Sequence, residues 1–132
     1  MNKALFCFTV ILMLAACKSS VKPEAVIGKW KYIKVEKPYS PNPPDTLSAK
    51  ELSEKAPSVQ FSANGELVMM WEGKMLSHGQ YKVDSNYVRY KEIMPDGKTR
   101  QFPFYVSKLT DTEIIFETKE DNPVRVTAIK VK

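Results

Sequence analysis

One histidine, two cysteines and a scatter of carboxylates are the residues from which this 132-residue chain could build a reactive site. The histidine, His78, follows Ser77, a pairing that suggests a nucleophile beside a general base. The residues around them alternate as a strand does, and neighbours on a strand point to opposite faces, so the hydroxyl and the imidazole do not meet. His78 shares its phase with the polar Gln80 and Lys82, which predicts an exposed structural histidine. A zinc site takes three or four ligands, and one histidine with so few cysteines does not supply them. Glycoside hydrolysis needs two acids flanking a cleft. Glu66, Glu72, Asp84, Glu92 and Asp96 fall in turns or on wet faces, with no spacing that singles out a pair. A glycine-rich phosphate loop is absent from the sequence. The expectation is a chain that is not an enzyme, with no catalytic residue, no metal and no cofactor.

The cysteines have a different chemistry. Met1–Lys3 is short and basic, and Ala4–Leu14 is an apolar run of eleven residues. As a helix rising about 1.5 Å per residue, that run covers roughly half of a ~30 Å hydrocarbon core and cannot span it. Leu14-Ala15-Ala16-Cys17 follows, with small residues where a signal peptidase cuts. This arrangement resembles the bacterial lipobox. The resemblance implies a diacylglyceryl group on the sulfur of Cys17, removal of residues 1–16 with Cys7 among them, and acylation of the new amino terminus. Residues 17–25 would be the lipidated N-terminus and tether, and 26–132 the folded domain. Cys17 is then consumed by lipid, so the mature chain has no thiol for catalysis or metal binding. Several acyl chains hold a protein on a membrane far better than one. The partner implied is a membrane, and the address is the cell envelope, on the outer membrane of a Gram-negative bacterium. Lys18–Lys22 lacks the acidic residues that often mark export to the cell surface in such systems, which favours a periplasm-facing position.

The whole chain has 20 basic and 15 acidic residues; without Lys3 it has 19 against 15, a formal charge of +4. The basic residues are scattered rather than gathered on one element, so no nucleic-acid partner is expected.

The elements that must position any site read as strands. Val26 to Lys37 is a first strand in which Trp30 and Tyr32 share one phase and Ile33 and Val35 the other, so a bulge between Tyr32 and Ile33 is predicted. Pro38–Pro44 holds four prolines and is a loop. Ser48 and Glu51 have capping-box spacing, predicting a short helix from Ala49 to Lys55, ended by Pro57. Asn64-Gly65 signals a hairpin. A two-residue Asn-Gly turn would pair Phe61 with Val68; a three-residue loop with Gly65 left-handed would pair Phe61 with Leu67 and Val59 with Met69, and is preferred because it keeps Phe61, Leu67, Met69 and Trp71 inward. Further strands are Leu76–Val83, Tyr87–Ile93, one carrying Phe102, Phe104 and Val106, Glu113–Thr118, and Val124–Val131. Pro103 cannot donate to a ladder, so its nitrogen must face an edge or bulge. Eight antiparallel strands joined by short turns predict an all-β, up-and-down barrel, with a two-sheet sandwich as the alternative.

Val68-Met69-Met70-Trp71 is apolar on both faces, and the Pro38–Pro57 segment is expected to cover one of them. The apolar, aromatic set Phe61, Leu67, Met69, Trp71, Tyr81, Phe102 and Phe104 is the candidate lining of a ligand cavity, or simply core.

Ile27-Gly28-Lys29-Trp30, Phe61…Asn64-Gly65, Gly79-Gln80-Tyr81-Lys82-Val83-Asp84 and Val106-Ser107-Lys108-Leu109-Thr110-Asp111 are, in that order, similar to bacterial lipocalin-like lipoproteins. The resemblance implies that Gly28 and Trp30 close the base of a barrel and that an arginine packs across the indole. Arg125, on the last strand, is favoured over Arg100. It also implies a small hydrophobic ligand. Thr110-Asp111-Thr112 departs from the family's Thr-Asp-Tyr, and residues 26–132 are few for a lipocalin, which implies a small cavity. The alternative to a carrier is a structural or interaction lipoprotein with a filled core and a protein partner of unknown kind.

Overall fold

The computed structural model describes residues 20–40 and 47–132. Cys17, the signal segment 1–16, residues 17–19 of the expected tether and residues 41–44 of the proline loop lie outside the described residues. Element order is α1 (Pro23–Val26), β1 (Gly28–Glu36), α2 (Ala49–Lys55), β2 (Ser58–Phe61), β3 (Glu66–Trp71), β4 (Lys74–Asp84), β5 (Tyr87–Ile93), β6 (Thr99–Leu109), β7 (Glu113–Thr118) and β8 (Arg125–Lys130). The eight strands form a closed antiparallel up-and-down barrel in sequence order, β8 pairing back on β1. Closure removes both sheet edges and decides against the sandwich.

Period-two patterning positions the core. Val88 and Tyr90 of β5, Phe104 and Val106 of β6, Ile114 and Phe116 of β7, and Val126 and Ala128 of β8 are all buried, with exposed or half-buried residues between them. The predicted irregularity in β1 is present: against β8 the register shifts between Tyr32 and Lys34, which lets Trp30, Tyr32 and Val35 all serve the interior. The β2–β3 hairpin takes the three-residue register, pairing Phe61 with Leu67 and Val59 with Met69, with Gly65 at φ +89°. Ser48 and Glu51 form a reciprocal capping box on α2, and Ala56 ends that helix in the left-handed region. Pro103 sits one residue beyond the last β6–β7 pair, Phe104 with Thr118. Val106 donates to Asn86 on the β5 side, so alternation turns the Pro103 nitrogen to the β7 side, where the ladder has ended.

The barrel has two unlike ends. One, the base, carries Gly28, the turns at Ser62–Gly65 and Ser85–Asn86, and residues 110–112. The other, the mouth, carries α2 and the β3–β4, β5–β6 and β7–β8 turns. α2 packs at the mouth, where Glu72 N–H donates to the Lys55 carbonyl and Lys55 Nζ pairs with the Glu72 carboxylate. The segment after β1 thus meets the chain at Glu72, just past the end of β3.

Residues 21–25 are not free chain. Val21 N–H donates to the Ser85 carbonyl at 3.0 Å, and α1 tucks Val26 under the base with no exposed surface. Val26 was expected to start the first strand; Pro23 at the first helical turn, where a missing N–H costs nothing, starts a short helix instead. Trp30, fully buried, donates its indole N–H to the Val26 carbonyl at 2.8 Å.

Trp30→Ala is expected to lower stability by about 3–5 kcal/mol through the cavity it leaves. Trp30→Phe is expected to cost about 1–3 kcal/mol, chiefly by leaving the buried Val26 carbonyl unpaired. Urea unfolding midpoints of the two variants check the order; equal losses would show that the hydrogen bond both variants lack, rather than packing, sets the base.

Candidate functional site: the mouth of the barrel

The two ends place the expected site residues differently. At the base, Gly28 has φ +136°, and an added Cβ would lie 2.8 Å from Lys130 Cε. Glycine is required there by conformation; the flexible end of Lys130 could move aside, but the positive φ could not be kept without strain. Trp30 lies fully buried at the base, but the cation beside it is not arginine. Lys130 Nζ lies 5.3 Å from the indole ring centroid, within cation–π range. The β1–β8 register explains the correction: Trp30 is opposite Lys130, whereas Arg125 is opposite Glu36, at the far end of the same ladder. Arg125 bonds Glu117 Oε1 at 2.6 Å, approaches Glu36 Oε1 at 3.7 Å, and lies over the Tyr39 ring at 5.9 Å, forming a cross-strand cluster near the mouth. Arg100 is also at the mouth.

The candidate cavity set divides along the barrel axis. Phe61 and Leu67 are 3% and 0% exposed and belong to the packed lower half. The void between them and Val88, Val106 and Ile114 is about 10 Å³, at or below what one water needs. Tyr81 packs edge-on against Phe61 at 5.0 Å and donates its hydroxyl to the Ser62 carbonyl. These three sit at the base ends of β2, β3 and β4 and do not line the mouth cavity; Phe61 and Leu67 are core, whereas half-buried Tyr81 packs against it and also borders a groove of about 690 Å³. Met69, Trp71, Phe102 and Phe104 do line a cavity, of about 560 Å³, open at the mouth. Sequence reasoning missed its other aromatic walls, Tyr32, Tyr90 and Phe116. Together they form a chain of rings: Tyr32–Phe116 at 6.1 Å, Phe116–Phe104 at 5.4 Å, Phe104–Tyr90 at 6.0 Å and Tyr90–Phe102 at 5.9 Å. Those spacings are the preferred range for aromatic pairs.

One wall of this cavity carries a polar chain. Ser77 and His78 point to opposite sides, as alternation requires, and Ser77 faces inward. Its hydroxyl donates to Glu92 Oε2 at 2.5 Å. The Ser77 proton is thereby committed, so Tyr90 Oη, at 2.6 Å, donates to Ser77 Oγ. Arg100 donates to Glu92 Oε1 from Nη2 at 2.8 Å and Nε at 3.2 Å, with its guanidinium 4.7 Å from the Phe102 ring centroid. Glu92 was read from the sequence as a wet-face acid; it faces inward with its side chain 13% exposed. The signal was present. Glu92 pairs with Arg100 and Tyr90 with Phe102 across the hairpin whose turn is Pro95-Asp96-Gly97. Fixing that register puts the acid in the aromatic phase. Burial pushes the Glu92 carboxyl up, but the hydrogen bonds from Ser77 and Arg100 and the guanidinium charge outweigh it and hold it below its ordinary value. Burial, with the Glu92 charge adding, raises the Tyr90 phenol, against the Ser77 hydrogen bond that lowers it. At neutral pH the chain is phenol, hydroxyl, carboxylate and guanidinium, neutral in sum, with further Arg100 N–H groups beyond those bonded to Glu92.

A mostly apolar pocket of this volume, with a few convergent polar groups, is the form of a small-molecule site. No protein-family model matches the chain, and no curated protein is similar to it in sequence. A lipocalin-like protein from Bacteroides uniformis, solved by crystallography, is similar in structure, with a TM-score of 0.55. It covers 81% of this chain and 99% of its own, at 12% sequence identity. The fold is lipocalin-like. At that identity the likeness is one of fold alone.

The lowered Glu92 carboxyl has a stability consequence. A depressed folded-state value contributes stability above the ordinary glutamate value of ~4.3, which is lost as pH falls through the folded value. Glu92→Gln is expected to remove that part of the acid dependence, flattening the midpoint-versus-pH curve below about pH 4. Thermal unfolding from neutral to acid pH checks it. Parallel curves for variant and wild type would mean that the carboxylate contributes no linkage.

Proposed function

We propose that this chain is a membrane-anchored bacterial lipoprotein whose barrel binds a small hydrophobic molecule in the open half of its interior, without catalysing a reaction. The open cavity of about 560 Å³ carries this reading. It falls within the ~300–1,000 Å³ of ordinary ligand pockets, and its walls are mainly apolar, with aromatic rings the largest part of them. Met75, Leu76 and Ile93, exposed at the mouth ends of β4 and β5, extend apolar surface toward the opening. The ligand this favours is apolar in the part that lies on the rings. A polar group on it would lie toward Arg100, whose guanidinium keeps unused donors at the rim. The cell-envelope location rests on the lipobox at Cys17, with the outer membrane facing the periplasm as the expected address.

The packed lower half favours a second reading, a structural or interaction lipoprotein that needs no ligand. The two differ in what the upper half does.

Native mass spectrometry of the domain from Ser20 onward is expected to show a co-purifying small molecule, or to accept a fluorescent apolar probe. Trp71 is on the cavity wall and Trp30 is sealed at the base, so probe binding is expected to change Trp71 emission. Trp71→Phe should abolish the change and Trp30→Phe should leave it. Thr118→Trp, which fills the opening, is expected to weaken the probe about tenfold, or ~1.4 kcal/mol. Absence of both a bound molecule and probe binding would sink the carrier reading. Separately, Cys17→Ala is expected to move the protein from the membrane to the soluble fraction; retention on membranes would refute the anchor.

A further inference from the structure

We propose that the base of the barrel faces the lipid surface that holds the chain, so that the ligand cavity opens away from that membrane toward the aqueous side. This rests on the reading of Cys17 as the lipid anchor. It follows from where the chain joins the fold. Val21 is already hydrogen-bonded to Ser85 in a base turn, and α1 and Val26 continue directly beneath the barrel. Three residues, 18 to 20, separate Cys17 from that attachment. Four residue steps at full extension reach about 13–14 Å. The barrel is longer than this. β4 and β6 each have 11 residues, which at ~3.3 Å per residue and a tilt of ~35–45° give roughly 25–30 Å from base to mouth. The chain cannot double back along the outer wall far enough to bring the mouth to the bilayer.

The chemistry of the base suits a lipid surface. Exposed Ile129 and Val131 alternate with Lys130 and Lys132 at the end of β8. Lys22, Lys108 and Lys130 line the groove between the N-terminal segment and residues 107–111. Glu24 and Asp111 are its acidic members, and Lys108 is held by Glu113 at 2.7 Å. Apolar tips flanked by lysines match a headgroup layer, where hydrocarbon and anionic groups lie side by side.

The consequence concerns exchange. A cavity turned from its own membrane takes up and releases its ligand through water or to a partner across it, and cannot draw an apolar molecule laterally from the leaflet that anchors it.

The mature chain has no second cysteine, so an introduced one can be labelled alone. The full lipidated protein is reconstituted into phosphatidylethanolamine–phosphatidylglycerol vesicles containing lipid with a nitroxide headgroup. A fluorophore is placed at Asp111→Cys on the base or at Asp121→Cys beside the mouth. Both aspartates are exposed, and matching melting curves verify that the variants fold. Quenching is expected to be several-fold stronger at position 111 than at 121. Equal quenching, or stronger quenching at 121, overturns the orientation while leaving the anchor in place. Failure of the wild-type protein to float with the vesicles overturns the anchor reading and this one with it.

Discussion

The contact on which the rest of this molecule depends is that of Trp30 with Val26. An aromatic side chain of this size removes roughly 150–250 Å² from water, which at ~25 cal/mol/Å² corresponds to about 4–6 kcal/mol before entropy is counted. The indole–carbonyl hydrogen bond adds only about 1 kcal/mol net. Packing therefore closes the base, and the hydrogen bond decides what closes it: the residue four positions earlier, which draws the N-terminal segment under the barrel. Two properties follow. The lower half is filled, by Trp30 and Val26 from below and by Phe61, Leu67, Val88 and Ile114 from the strands. The remaining space is therefore at the mouth, and the chain enters the fold at the opposite end from that space.

The mouth solves a separate problem. Its wall needs polar groups that do not charge the cavity. Glu92 alone on an aromatic surface would carry a desolvation cost of several kcal/mol. Arg100 directly opposite it and Ser77 on the adjoining strand offset this, and Gly79 makes the geometry possible. Gly79 pairs with Glu92, and a Cβ there would be 2.0 Å from the Lys91 carbonyl oxygen. Only glycine allows β4 to run so close to β5 at this point, and that approach puts the Ser77 hydroxyl within reach of both Tyr90 and Glu92. The Arg125 cluster is different in kind. It is half-exposed and ties β1, β8 and β7 together near the mouth, and pairs of this type contribute about 0–1 kcal/mol each.

The fold was legible because it is written in local rules. The bulge after Tyr32, the capping box at Ser48, the hairpin at Gly65 and the eight alternating runs each involve residues close in sequence, and where alternatives remained, in the hairpin register and in barrel against sandwich, the pairing decided them. What was not legible depends on register over longer spans. Arg125 was assigned to the base because it is on the last strand, but a strand has two ends; only the pairing of Glu36 with Arg125 and Trp30 with Lys130 says which residue meets the indole. Phe61 and Leu67 have the composition of a ligand wall and the depth of a core. Phase distinguishes inside from outside, whereas filled from open depends on position along the axis. Glu92 was misplaced for a third reason. A carboxylate among polar neighbours reads as solvated until its cross-strand partner is known. Residues 21–25 were read as tether because a four-residue helix leaves no periodicity to detect.

The division of the barrel into a closed half and an open half also bears on why so small a domain can hold a cavity at all. Removing packed side chains from a core costs about 24 cal/mol per Å³ of void, so a sealed cavity of about 560 Å³ would cost about 13 kcal/mol, comparable to the whole ~5–15 kcal/mol that stabilises a domain. An opening at the mouth changes the reference. Water enters, the polar chain of Tyr90, Ser77, Glu92 and Arg100 gives it something to bond to, and the cost becomes that of aromatic surface left wet rather than of a vacuum. That cost is recoverable: a ligand whose apolar body covers Tyr32, Phe116, Phe104 and Phe102 returns this surface to a dry environment. Binding on this view completes the core that the sequence left half-built. On the proposed carrier reading, the packed base is the floor on which such a ligand would rest.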